Sequence, residues 1–134
     1  MATFASSYRE LRVYINAKKA AMEIFKATEK SPVSEKYSMV DQMRRSSRSV
    51  CSNIAEGWRK RRYKAAFISK LSDAESEACK TQVWLDFARS CKYLDAEYAR
   101  RLEENYDLVM GQIVIMINNA DKWLIRKNSS DDPE

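Results

Sequence analysis

The sequence predicts an all-α fold, an up-down-up-down antiparallel four-helix bundle, on three observations. Apolar residues return at spacings of three and four through four long stretches, the repeat of a helix with one buried stripe. Two Gly and two Pro among 134 residues leave little turn punctuation, which favours long elements joined by short links. Links that short force successive helices to run antiparallel. The length suits one domain with a sizeable core, placed at 1–127, with the polar segment 128–134 read as a short disordered tail.

From Ser6 to about Lys30 the stripe is Leu11, Tyr14, Ile15, Ala21, Met22 and Phe25. Ser31-Pro32 ends this first helix, because Pro lacks a backbone donor and pushes its predecessor out of helical geometry. Ser38 opens the second helix, with Asp41 three residues on completing a variant capping box. Val40, Met43, Ser47, Val50 and Ile54 face the core, and Gly57 is the expected stop, since Gly adopts the left-handed conformation without a Cβ penalty. After a basic link from Trp58 to Arg62, the third helix carries Phe67, Leu71, Ala74, Ala78, Thr81, Leu85 and Ala88 and ends near Lys92. Asp95 caps the fourth, whose stripe is Tyr98, Leu102, Val109, Ile113, Met116, Ala120 and Leu124.

The last two helices are apolar on a second face. Trp84 and Phe87 on one, and Leu108, Val114, Ile115, Ile117 and Trp123 on the other, stand beside the core stripes. A helix apolar on two faces is buried on two sides, and in so small a chain another subunit best supplies the second. A homo-oligomer is therefore expected, with Trp84, Phe87, Leu108, Ile115 and Trp123 in its interface. A broad stripe in a monomeric core is the alternative.

Charge is the chemical signal. Arg44, Arg45, Arg48, Arg59, Lys60, Arg61, Arg62 and Lys64 stand in one segment with a single acid, Glu56, so the segment is +7 within a chain of net charge +5. Arg44, Arg45 and Arg48 fall in one arc of the second helix, off its core stripe. Such a patch suits phosphate, since Arg offers a planar donor fork and keeps its charge. Trp58 and Tyr63 beside it would stack on bases if exposed, although Trp58 fits the end of the bundle equally well. The competing reading is a solvated face with local pairing, such as Asp41 with Arg45, and cations serving the negative end of the second helix.

Catalysis has little to work with. There is no His, which removes Ser-His and Cys-His pairs, HExxH and the Glu-x-x-His ligands of di-iron bundles. Asp73 with Glu77, and Glu103 beside Glu104, read as solvated or ion-paired carboxylates. Gly57 and Gly111 lie too far apart for a phosphate-cradling loop. The expectation is no enzyme, no metal and no cofactor. Cys51, Cys79 and Cys91 lack CxxC spacing and are expected to be small buried hydrophobes in a reduced, cytoplasmic compartment. The longest apolar run, Ile113 to Ile117, is far short of the roughly 20 residues of a membrane span.

The run Glu35-Lys36-Tyr37, Gln42-Met43-Arg44-Arg45-Ser46 and Ser52-Asn53-Ile54-Ala55-Glu56-Gly57, followed by a basic link and Phe67, resembles the four-helix-bundle proteins encoded in intervening sequences of bacterial 23S ribosomal RNA genes. The resemblance spans about Leu11 to Trp123. It implies a cytoplasmic, ring-shaped homopentamer. It also implies kinship of fold with the accessory protein of diversity-generating retroelements, a basic pentamer that binds nucleic acid and a reverse transcriptase. Two positions depart from the family pattern: Cys51 stands where Pro is common, and Arg62 where a Ser or Thr cap is common. The motif residues Asn53, Ile54, Ala55, Glu56 and Gly57 are read as architectural. Asn53 is expected to bond across helices, Glu56 to pair with a nearby Arg, and Gly57 to turn the chain. The function expected is that of a non-catalytic oligomer that binds RNA or DNA through the phosphate backbone. A protein-interaction scaffold with a solvated basic rim is the alternative.

Overall fold

A computed structural model describes residues 5–125; the tail expected at 128–134 lies outside them. Four helices carry the fold: α1 (Arg12–Thr28), α2 (Met39–Arg59), α3 (Lys64–Ser90) and α4 (Ala96–Asn118), with short 3-10 turns at Tyr8–Glu10, Val33–Glu35 and Ala120–Lys122. No strand occurs among the described residues.

Cross-helix pairs run in opposite order along neighbours, so adjacent helices are antiparallel. Arg44 of α2 reaches Thr28 at the end of α1. Along α2 and α3, Ser46 meets Thr81 and Glu56 meets Lys70. Lys64 at the start of α3 pairs with Asp121 after α4 at 3.0 Å, while Arg89 near the end of α3 meets Glu103 early in α4 at 3.2 Å. Asn16 of α1 donates to Gln112 of α4 at 2.9 Å, which closes the ring of four.

All five expected core residues of α2 and all seven of α3 are buried. At roughly 1.5–3 kcal/mol for each large apolar side chain, these faces supply much of the driving force. On α1 the expected stripe is displaced. Ile15 and Met22 are 52% and 49% exposed, and the core takes Val13, Ala17, Ala20, Ile24 and Ala27 instead. Small residues bring the backbone of α1 close to its neighbours, and a stripe of alanines carries little weight in a hydropathy pattern. On α4 Tyr98 is only half-buried, whereas Ala99 and Tyr106 are fully buried. The helix stops at Asn118, so Ala120 packs from the following 3-10 turn and Leu124 lies beyond it.

The ends also differ from expectation. Ser38 makes no cap; its hydroxyl donates to Glu35, and the Glu35 carboxylate accepts from the Met39 amide at the start of α2. Glu35 also accepts from the Tyr93 hydroxyl at 2.8 Å, tying the α1–α2 link to the end of α3. A carboxylate reaches this amide from outside the helix, so the shorter Ser hydroxyl is not needed. Asp95 caps α4 as expected, accepting from the Tyr98 amide at 2.9 Å. Gly57 does not stop α2, which continues to Arg59. The left-handed residue is instead Lys92, with φ 64°, and the Tyr93 amide donates back to the Ala88 carbonyl at 2.9 Å, a Schellman closure of α3.

Candidate nucleic-acid interface

The basic segment covers α2 from Arg44 onward, the link and the first turn of α3, and its residues have unlike surroundings. Arg44 sits against α1. Its Nε donates to the Thr28 hydroxyl at 2.8 Å, an Nη donates to the Phe25 carbonyl at 3.3 Å, and the guanidinium lies 4.5 Å from the centre of the Phe25 ring. These acceptors belong to the last turn of α1, where helix carbonyls lack partners and carry partial negative charge. Arg44 therefore serves the bundle and does not point outward as the arc on α2 suggested. Arg45 is exposed and pairs with Asp41 at 3.0 Å, the i,i+4 pair expected. Arg48 is exposed with no ion pair among the described residues.

At the link Arg61 is likewise held. Its guanidinium stacks 3.4 Å from the centre of the Trp58 ring, Nε donates to the Trp58 carbonyl at 2.8 Å, and an Nη reaches the Trp123 carbonyl at 3.5 Å. Burial lowers its pKa from the ordinary value, and neighbouring Arg59 adds to the effect. Trp58 itself is buried in the core, so of the two aromatic candidates only Tyr63 stands free, 68% exposed. Arg59, Lys60 and Arg62 are exposed and form no ion pair among the described residues. Lys64 pairs with Asp121 at the surface. Tyr63 is the residue before α3, and no side chain caps that helix.

The motif residues at the end of α2 make other contacts than those expected. Asn53 bonds within its own helix, donating to the Ser49 carbonyl and hydroxyl at 2.9 and 3.1 Å. Glu56 pairs with Lys70 of α3 at 3.2 Å and with no Arg among the described residues. Ile54 is fully buried and Ala55 half-buried. Gly57 is buried and faces α3, where a Cβ would stand 3.4 Å from Lys70 Cβ and 3.6 Å from the Phe67 carbonyl. This is ordinary contact distance, so the approach of α3 leaves room for a Cβ, and the glycine makes no turn.

Two lysines outside the segment adjoin it. The α2–α3 side of Arg48 is a groove of about 520 Å³ lined by Gln42, Arg45, Ser49, Ser52, Glu77 and Lys80, in which Lys80 pairs with Glu77 at 3.5 Å. The α1–α2 side is a mainly apolar groove of about 320 Å³ that Lys18 helps to line. Sequence reasoning missed Lys18 and Lys80 because they stand on other helices, and only the antiparallel packing brings them to Arg48. The expected interface residues fall in two places. Trp84 and Phe87 pack together on α3, with ring centres 6.0 Å apart. Ile115 and Trp123 line a small hollow between α1 and α4. Phe87, Leu108 and Ile115 are 54–61% exposed.

The cysteines depart from expectation: Cys79 and Cys91 are exposed and Cys51 is half-buried. Cys79 lies one position past Ala78 of the core stripe, and Cys91 follows the last turn of α3. Burial pushes the Cys51 thiol up to about 11, with Lys18 opposing the shift. Among the described residues no three His, Cys, Asp or Glu side chains cluster so as to hold a metal ion. No helix among them is long and apolar enough to cross a membrane.

Comparison with known proteins places this geometry. A family model described as 23S rRNA-intervening sequence protein matches residues 9–114. A crystal structure from Bacteroides thetaiotaomicron, described as a protein with unknown function from the S23 ribosomal protein family, superposes with a TM-score of 0.71. It is 23% identical, over 79% of this chain and 95% of that one, a likeness of fold. No curated protein matches the chain. The chain belongs to the 23S rRNA-intervening sequence protein family.

Proposed function

We propose that this protein is a non-catalytic, nucleic-acid-binding oligomer that holds RNA or single strands by their phosphates, with little preference for sequence. The observation that carries the reading is the group of exposed cations that form no ion pair among the described residues, Arg48, Arg59, Lys60 and Arg62, on or next to one helix. Exposed arginines facing water without carboxylate partners are available to a polyanion, and guanidinium forks match phosphate oxygens. Arg45 and Lys64 extend the surface, since exposed pairs such as theirs are worth little and exchange easily. Oligomerisation, into the pentamer that the family resemblance implies, is supported by the exposed Phe87, Leu108 and Ile115. An assembly repeats the basic surface around its axis and multiplies the phosphate contacts.

The test is fluorescence anisotropy with a labelled RNA across a salt series. Binding is expected to weaken steeply, because each phosphate neutralised releases counterions, with a slope of about −0.7 per contact on a single strand. Changing Arg59, Lys60 and Arg62 together to Ala is expected to flatten that slope by about 2. Retention that ignores both salt and the triple change would overturn the reading and favour a scaffold with a solvated rim. Light scattering checks the assembly, where a mass near 15.6 kDa would refute it.

A further inference from the structure

The apolar residues of the α1 pattern that stand at the edge of the core or outside it have a place of their own. Tyr14, Ala21, Met22 and Phe25 recur along one side of α1 and face Arg48 and Cys51 of α2 across the groove of about 320 Å³. A volume of that order is typical of small-molecule sites, about 300–1,000 Å³. Its two charged lining residues, Lys18 and Arg48, are both cations, and no acid lines it. Arg44 lies over the Phe25 ring and anchors to the α1 end, so the wall is fixed beside the basic ridge. On the other flank of Arg48 the groove carries Gln42, Ser49 and Ser52 with the Glu77–Lys80 ion pair, so an acid stands there and none stands in the α1–α2 groove.

We infer that the α1–α2 groove receives a base of a single-stranded nucleic acid while Arg48 and Lys18 hold the phosphates on either side of it. A single strand is the polyanion whose repeat alternates a flat apolar face with a charged linker. A duplex keeps its bases stacked inside and offers this groove only phosphate. Base contacts with aromatic and apolar side chains tolerate any base, which fits a groove whose lining is chiefly apolar. The inference rests on the proposed nucleic-acid function and sharpens it, from phosphate binding in general to single strands in particular.

Anisotropy separates the two. The probes are a single-stranded oligonucleotide, its blunt duplex, and an abasic strand of equal phosphate number. The single strand is expected to bind about tenfold tighter than the other two, the worth of stacking one base. Met22→Ala, at a half-exposed position that leaves the core intact, is expected to remove most of that preference and leave duplex binding unchanged. Arg48→Ala is expected to weaken all three probes. Ultraviolet crosslinking of a 5-iodouridine strand is expected to mark Tyr14 or Phe25. Equal affinity for all three probes, or crosslinks confined to the Arg59 to Arg62 link, would overturn the groove assignment while the phosphate-binding reading stands. No binding to any probe would overturn both. A change in particle mass on Met22→Ala would show that a second copy covers the groove, and would overturn the inference too.

Discussion

The Ser46 and Thr81 hydroxyls meet at 2.7 Å in the buried seam between α2 and α3. Each also lies within reach of a carbonyl of its own helix, Met43 for Ser46 and Glu77 for Thr81. One hydroxyl donates across the seam and the other donates back along its helix, so both polar groups are satisfied where neither touches water. Thr81→Val is expected to destabilise by about 1 kcal/mol, the net worth of one hydrogen bond. The matched cycle with Ser46→Ala is expected to return a coupling of about 0.5–1.5 kcal/mol by urea unfolding. Strict additivity of the two changes would show that the hydroxyls do not communicate.

Arg61 and its neighbours carry the same charge and are expected to behave oppositely. Removing Arg61 takes a stacking partner from Trp58 and donors from two carbonyls. Arg61→Ala is therefore expected to cost about 1–2 kcal/mol of stability, with only a modest loss of RNA affinity. Arg62→Ala is expected to leave stability within about 0.5 kcal/mol and to weaken RNA binding. Paired melting and anisotropy measurements on the two variants decide it. A reversed ranking would mean that Arg61 faces the ligand.

The two residues at odds with their conformations give a third test. Lys92 holds φ 64° without being glycine, and Lys92→Gly is expected to stabilise by about 1 kcal/mol. Gly57 is helical, and a Cβ there would meet α3 at ordinary contact distance. Gly57→Ala is thus expected to be neutral or stabilising by up to about 1 kcal/mol. Gly57→Leu, which would drive a side chain into Lys70 and Leu71, is expected to cost about 1–3 kcal/mol. A large loss on Gly57→Ala would restore a conformational role to the glycine.

Stability is expected to fall at alkaline pH through Cys51. The thiol ionises near 9 when unfolded and at about 11 when folded, so on raising the pH the unfolded chain releases its proton first. The contribution is complete below about pH 9 and is lost between 9 and 11, by about 3 kcal/mol at most. Urea midpoints at pH 8 and pH 10.5 measure the drop. Cys51→Ala is expected to shrink it, and an identical drop in that variant would assign the effect to the tyrosines.

Much of the fold is legible in the sequence, where bulky apolar residues mark a face. Phe67, Leu71 and Leu85 on α3, and Met43, Val50 and Ile54 on α2, announce their burial by an unbroken three-four spacing, which on α3 stands out even beside the second apolar face of Trp84 and Phe87. On α1 Tyr14, Ile15 and Met22 outweigh Ala17 and Ala20 in any pattern, yet the alanines hold the core. The basic segment is legible as charge alone. That Arg44 and Arg61 belong to the bundle is not, since their acceptors are backbone carbonyls and ring faces that leave no mark in the local pattern. The same holds for Glu35, which reaches the Met39 amide from a preceding turn, and for Lys18 and Lys80, which packing brings beside Arg48.

Arg44 and Arg61, tied down near either end of the basic stretch, bear on how quickly a ligand could be captured. The backbone carrying Arg45, Arg48 and Arg59 is pinned to α1 at one end and to the chain after α4 at the other. A polyanion arriving there loses its own freedom but meets a protein with little left to order. Such preorganisation leaves only side-chain rotamers to freeze on association and suits fast, electrostatically steered encounters.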